Sequence, residues 1–298
     1  MSIPAMLIRG QHLVLCGVLM GLMLPLAMSQ AEEKQNGRRL LVGDYDKKRF
    51  AVIEADGSFS LEKPIRAIHD AHLLENGNVL FQANFRHVQE LSPKGDVVWE
   101  YKVQGPNEIH AFERLPNGLT MIAISGEKRI VEVNQAGHIE TEIPLTVDNP
   151  HPHRDTRLVR STPTGTYLVA HEADKIVREY DKKGNIVWDY PINTQVYSAV
   201  RLKNGNTLMG TGDGHSVVEV NAKKEVVWSL NENDLEGVRL AWVTMVERLP
   251  NGNTWVVNCH AGPENPQLLE VTPEKTVAWK WKNFEQFGNS TPVGRLID

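Results

Sequence analysis

The chain has 298 residues, with 37 acidic against 32 basic side chains, a formal net charge of −5 and 41% hydrophobic residues. That balance argues against a protein that binds nucleic-acid backbone, which needs a basic face, and it supplies enough apolar material for a continuous core. Two cysteines, Cys16 and Cys259, are too few for a disulfide framework.

In chain order, Arg9 precedes an apolar run from Leu13 to Met28 that ends in "AMSQAEE". One cation, a short apolar stretch and small residues before a polar turn are the order of a secretory signal peptide, with cleavage near Ser29 or Ala31. The run is short for a bilayer span. Residues 1–31 are therefore expected to leave, taking Arg9 and no acid, so that the formal charge becomes −6 and Cys259 stands alone. The expected product is a periplasmic or secreted monomer with no membrane contact and no nucleic-acid partner.

From His72 onward one phrase recurs five times: "HLLENGNVLFQ", "FERLPNGLTMIA", "VRSTPTGTYLVA", "VRLKNGNTLMG" and "VERLPNGNTWVV". Each reads as strand, two-residue Asn-Gly-type turn, strand. The glycines Gly77, Gly118, Gly165, Gly205 and Gly252 stand 41, 47, 40 and 47 residues apart, in the range of propeller blades. An alternating strand follows ("RIVEVN", "KIVREYD", "SVVEVN", "QLLEVT"), and then one centred on tryptophan ("VVWEY", "IVWDY", "VVWSL", "VAWKW"). Trp99, Trp188, Trp228 and Trp279 recur in register and read as blade packing. Residues 40–64 supply only three strands, while the C-terminal "NSTPVGRLID" resembles the first strand of the other units. The prediction is all-β: a single six-bladed β-propeller over residues 32–298, with four-stranded blades and the first blade closed by the C-terminal strand.

The phrases "HDAHLLENGNVL", "LPNGNT", "VVEVNAKKEVVW" and "FGNSTPV" resemble the repeats of bacterial exported propeller proteins labelled PQQ-like, and more distantly those of arylsulfotransferases. The resemblance covers nearly the whole chain after the leader and implies the propeller. It describes blade sequence, and the calcium-ligating motif of the larger quinoprotein dehydrogenases is absent, so bound PQQ is not expected. An arylsulfotransferase likeness extended to mechanism would make a histidine the sulfuryl acceptor, but no residue matches that motif one by one.

Function has to come from the loops on one face. Eight residues before each hairpin glycine stand His69, His110, Arg157, Tyr197 and Thr244, with Thr291 in the closing strand. The loops joining second and third strands add Arg86, His171, Glu172, His215, Cys259 and His260. "NPHPHRDTRLVR" enters the fourth blade on the same face, and its extended course sends His151 and His153 to one side. Of the ten histidines left after cleavage, only His138 belongs to the opposite end. His72 and His87 read as ordinary hydrogen-bonding residues, and "GTGDGH" has no following helix to make it a phosphate loop.

Imidazoles move protons near neutral pH, carboxylates orient them, and arginines recognise carboxylate, sulfate or phosphate through two parallel hydrogen bonds. The expected catalytic set is His69, Asp70, His110, His153, Asp155, Arg157, His171, Glu172, His215 and His260, with Arg86, His151, Arg154, Tyr197 and Asn289 holding substrate. Such a set suits a lyase, hydrolase or transferase acting on a small anionic or polyhydroxylated substrate. Protonation of the imidazoles below about pH 6 would strengthen the preference for anions. A variant holds a divalent metal through three imidazoles. The alternative is a non-catalytic propeller whose polar funnel binds a ligand or a partner's loop. No Gly-x-Ser-x-Gly turn supports a nucleophilic serine.

Overall fold

Each repeat folds into a four-stranded antiparallel sheet, and six such sheets make a six-bladed β-propeller in the computed structural model, which describes residues 37–297. The signal-peptide reading, residues 1–31, lies outside them. The innermost strands are Val293–Leu296, Ala71–Leu73, Glu108–Arg114, Val159–Ser161, Ser198–Arg201 and Trp242–Arg248. Valine, isoleucine and leucine on the inner strands fill the layers between blades, and stacked Phe50 and Phe81, 4.8 Å apart, join the first two.

The first blade closes as the termini predict. Leu40–Asp44 pairs antiparallel with Val293–Leu296, Leu40 facing Leu296 and Gly43 facing Val293. Gly294 is required there: a Cβ would lie 2.1 Å from Leu268 Cδ2, while its carbonyl accepts the Trp255 indole N–H at 2.8 Å.

The hairpins depart from the two-residue turn that the sequence suggests. Only the glycine takes positive φ, from 79° at Gly77 to 89° at Gly252, and its N–H bonds three residues back, as Gly77 does to the Leu74 carbonyl at 2.8 Å. The asparagine before it keeps an ordinary φ because its Oδ1 accepts the N–H two residues on, at 3.0 Å from Asn76 to Asn78 and again from Asn204 to Asn206. This local ring favours a type I turn with a glycine bulge over a type I′ turn.

The in-register tryptophans do pack blades, and each belongs to a latch. Trp99, Trp188, Trp228 and Trp279 each face a glutamate on the neighbouring strand: Glu90, Glu179, Glu219 and Glu270. An arginine from elsewhere in the ring covers each indole and pairs with that glutamate. Arg114 and Glu90 meet at 2.6 Å, Arg201 and Glu179 at 2.5 Å, Arg248 and Glu219 at 2.6 Å, and Arg38 and Glu270 at 2.6 Å. Arg248→Ala should uncover Trp228 and leave the largely buried Glu219 short of a partner, costing about 2 kcal/mol. The melting temperature should then fall by roughly 4–8 °C in a thermal scan. An unchanged melt would show that the latch adds nothing to the ring.

On the third blade's inner strand the register slips between Ile109 and Ala111, so that His110 is the extra residue of a β-bulge. A bulge re-aims the side chain it carries, and here it turns an imidazole inward at the channel mouth.

Candidate functional site

The loops entering the inner strands and those joining second to third strands enclose a cavity of about 290 Å³. Its walls are Tyr45, Phe85, Tyr197 and Trp242, with His69, His153, Arg157 and His260 as the groups able to carry charge, and Thr244, Cys259, Ser290 and Pro292 complete it.

One wall is built on three imidazoles. His69, His110 and His153 come from segments entering the second, third and fourth blades, their ring centroids 4.4, 4.9 and 5.5 Å apart. One ring nitrogen of each lies within 4.8 Å of the others', close enough for a shared cation. His69 sits between two phenols, Nδ1 at 2.5 Å from the Tyr197 hydroxyl and Nε2 at 3.1 Å from that of Tyr45. His110 Nδ1–H donates to the Thr156 carbonyl at 2.7 Å, and its Nε2 lies 2.8 Å from Glu108 Oε2. His153 Nδ1 lies 2.5 Å from the same carboxylate oxygen.

Burial holds His69 well below the usual imidazole range, with His110, Arg157 and His153 adding to the effect. Burial also lowers His110 to about 4, although Glu108 opposes it. Burial raises the Glu108 carboxyl, but His110 and His153 outweigh it and bring that group down to about 2. Burial therefore keeps His69 and His110 neutral in mild acid, and these two imidazoles add no positive charge for an anion below pH 6. Burial pushes the Cys259 thiol well above its ordinary range, which keeps it protonated and inert.

Arg157 is the fixed cation. It is buried, its Nε–H donates to Glu172, its plane lies 5.3 Å from the centre of the Tyr197 ring, and Nη1 donates to His153 Nε2 at 3.2 Å. The opposite wall carries His260, which is exposed and lies tilted against Trp242, ring centroids 5.5 Å apart, with Nε2 at 3.1 Å from Ser290 Oγ. Its φ of 59° is uncommon for a residue other than glycine, and such strain tends to gather at functional sites.

Of the residues singled out in the sequence, His69, His110, His153, Arg157, Tyr197 and His260 therefore gather here, with Glu172 behind Arg157. The others do not reach the cavity. Asp70 turns the other way, into the channel, where Arg160 clasps it at 2.7 and 2.9 Å. Asp155 caps its own loop, accepting the N–H groups of Gly126 and His151. His171 is buried between the Asp155 carbonyl, 2.7 Å, and the Tyr180 hydroxyl, 2.9 Å. His215 donates through Nδ1 to the Ala241 carbonyl at 2.8 Å. Arg86 is exposed and donates to the Gly105 carbonyl at 2.6 Å, and Arg154 donates to Glu172 at 3.0 Å. His151 is exposed at the surface, and Asn289 Oδ1 accepts the Gly262 N–H at 2.8 Å. His138 sits in a turn at Asn134, away from the cavity.

Glu108 and three of the aromatic walls, Tyr45, Phe85 and Trp242, escaped the sequence reading, whereas Tyr197 did not. Glu108 precedes His110 by two, the spacing that puts side chains on one side of a strand, and that was the available signal. Tyr45, Phe85 and Trp242 carry no pattern that separates them from core residues.

No family model and no curated protein matches the chain. Among solved structures, a protein of unknown function from Bacteroides caccae is 26% identical, with a TM-score of 0.78 over 87% of this chain and 98% of that one. A streptogramin B lyase is 13% identical with a TM-score of 0.61, covering 85% of each chain. Virginiamycin B lyase from Staphylococcus aureus, determined with quinupristin, is 12% identical with a TM-score of 0.60, over 85% of this chain and 87% of that one. The two lyases share the fold alone at such identities, and the ground common to these structures and the PQQ-like resemblance is the β-propeller itself.

Proposed function

We propose that the cavity is the active site of an exported enzyme that binds a small organic anion and transfers a proton within it, as a lyase or hydrolase does. The observation that carries this reading is Arg157. A guanidinium held from behind by Glu172, set over the Tyr197 ring and lining an aromatic-walled cavity is pre-organised to take a carboxylate, sulfate or phosphate. Phe85, Tyr45 and Trp242 would cover the apolar body of the substrate.

Neutralising a carboxylate at Arg157 makes the proton on the adjacent carbon easier to remove. In elimination, a base takes that proton, the C–H electrons form the new double bond, and the leaving group departs with a proton returned to it. His260 is the accessible imidazole on the facing wall, and Ser290 orients it for that transfer. Two lyases share the fold, which makes elimination the first reaction to assay.

The test is a mass-spectrometric screen of uronates, aryl sulfates, aryl phosphates and hydroxy acids. Arg157→Lys should weaken binding by about 10–100-fold, as expected for one charge-assisted pair, while Glu172 keeps Arg154. His260→Gln should keep binding and lower turnover by about 10²–10⁴-fold. Tight anion binding with no turnover, unaffected by His260→Gln, would make the chain a binding module instead.

A further inference from the structure

We propose that His69, His110 and His153, assisted by Glu108, form a binding site for one divalent transition-metal ion of the zinc type. All three rings are tied at the same atom. His69 Nδ1 meets the Tyr197 hydroxyl at 2.5 Å, His110 Nδ1 the Thr156 carbonyl at 2.7 Å, and His153 Nδ1 the Glu108 carboxylate at 2.5 Å. Metal-binding histidines are held in this way, the far nitrogen fixed by an oxygen so that the near one presents its lone pair. That leaves the Nε2 atoms to meet an ion, and one ring nitrogen of each histidine lies within 4.8 Å of the others'.

A second observation comes from the partners of those atoms. His110 must carry its proton on Nδ1, because the Thr156 carbonyl can only accept. A neutral ring then turns the Nε2 lone pair toward Glu108 Oε2 at 2.8 Å, and a carboxylate has no hydrogen to give. Two acceptors so close need a cation between them, either a proton or a metal. His69 Nε2 faces only the Tyr45 hydroxyl at 3.1 Å, and His153 Nε2 faces Arg157 Nη1 at 3.2 Å. Tyr45 can turn aside, and Arg157 keeps Glu172 when it gives up His153.

The donor chemistry selects the ion. Three imidazoles suit zinc, cobalt or nickel, whereas magnesium and calcium prefer oxygen donors throughout. The three ligands come from segments entering separate blades. Its open side is the cavity beside Arg157, so an anion could lie between the metal and the guanidinium. Metal binding stands on the imidazoles and is independent of which reaction the cavity performs.

The experiment uses the full chain, purified without a metal-affinity tag and stripped by a chelator. Titration with cobalt should give visible absorption bands of nitrogen-bound Co(II), saturating at one equivalent and bleached by zinc. His110→Gln and His153→Gln should each weaken cobalt binding by at least about tenfold, since removing a ligand costs no less than disturbing its support. His260→Gln should leave the cobalt bands intact. Arg157→Lys should also keep the metal while binding the anion more weakly, so that failure of the metal site and failure of the anion site are told apart. A folded chain that shows no cobalt bands and retains no zinc after equilibration would overturn the proposal, leaving a shared proton between His110 and Glu108. Metal uptake unchanged by His110→Gln or His153→Gln would overturn it equally.

Discussion

Deleting residues 290–298 should leave a chain that is recovered as aggregate, or that melts far below the full-length protein. The cut removes the innermost strand of the first blade and with it buried Val293, the rungs to Leu40–Asp44, and the Thr291 bond to Asp44 at 3.2 Å. It also frees the Trp255 indole N–H from the Gly294 carbonyl and exposes the edge of Leu40–Asp44 to the channel. Together these losses are comparable with the whole stability of a domain, about 5–15 kcal/mol, because closure couples the last blade to the first. Solubility and a thermal scan decide it. A soluble, monomeric truncation with an unchanged melt would mean that the ring holds without its clasp.

The second large effect belongs to Asp70. Its carboxylate is fully buried, clasped by Arg160 at 2.7 and 2.9 Å and approached by Arg295 at 3.2 Å and His72 at 3.2 Å, so that blades one, two and four meet on one residue. Asp70→Asn removes the charge and leaves two arginines facing each other, at a cost of about 3–5 kcal/mol. The pH profile gives a separate check. Burial raises the Asp70 carboxyl, but Arg160, His72 and Arg295 outweigh it and hold the group well below the ordinary carboxylate range. A depressed folded value means the contribution is fully present above the unfolded carboxyl value, near 4, and is lost as pH falls below it. The stability difference between wild type and Asp70→Asn should therefore be large at pH 7 and shrink in acid. A difference that is small at pH 7, or that grows as pH falls, would contradict the assignment.

The pair His69 and Asp70 shows where sequence was readable and where it was not. Counting back from the hairpin glycines picks out His69, His110, Arg157 and Tyr197 because the blades repeat, and a repeated register puts equivalent positions in one layer. Asp70 is the immediate neighbour of His69, but the backbone bends at His69 just ahead of the strand Ala71–Leu73, and the two side chains part there, His69 to the cavity and Asp70 to Arg160. Placing both in one site took no account of that bend. His171 and His215 lie on the right loops, yet each ring is spent on a backbone carbonyl, and such a choice depends on distances across the fold. The bulge at His110 lies beyond sequence reading too, since it is a slip between two strands that no single strand records.

The clasp on Asp70 has one more effect, on traffic. Because Asp70 draws together Arg160 and Arg295, which come from the inner strands of opposite blades, a molecule bound in the cavity would leave by the mouth. Substrate and product would take turns at Arg157, and a product that keeps its anionic group would compete with the next substrate. The kinetic sign is competitive product inhibition that an excess of substrate relieves, as in a cul-de-sac with one lane.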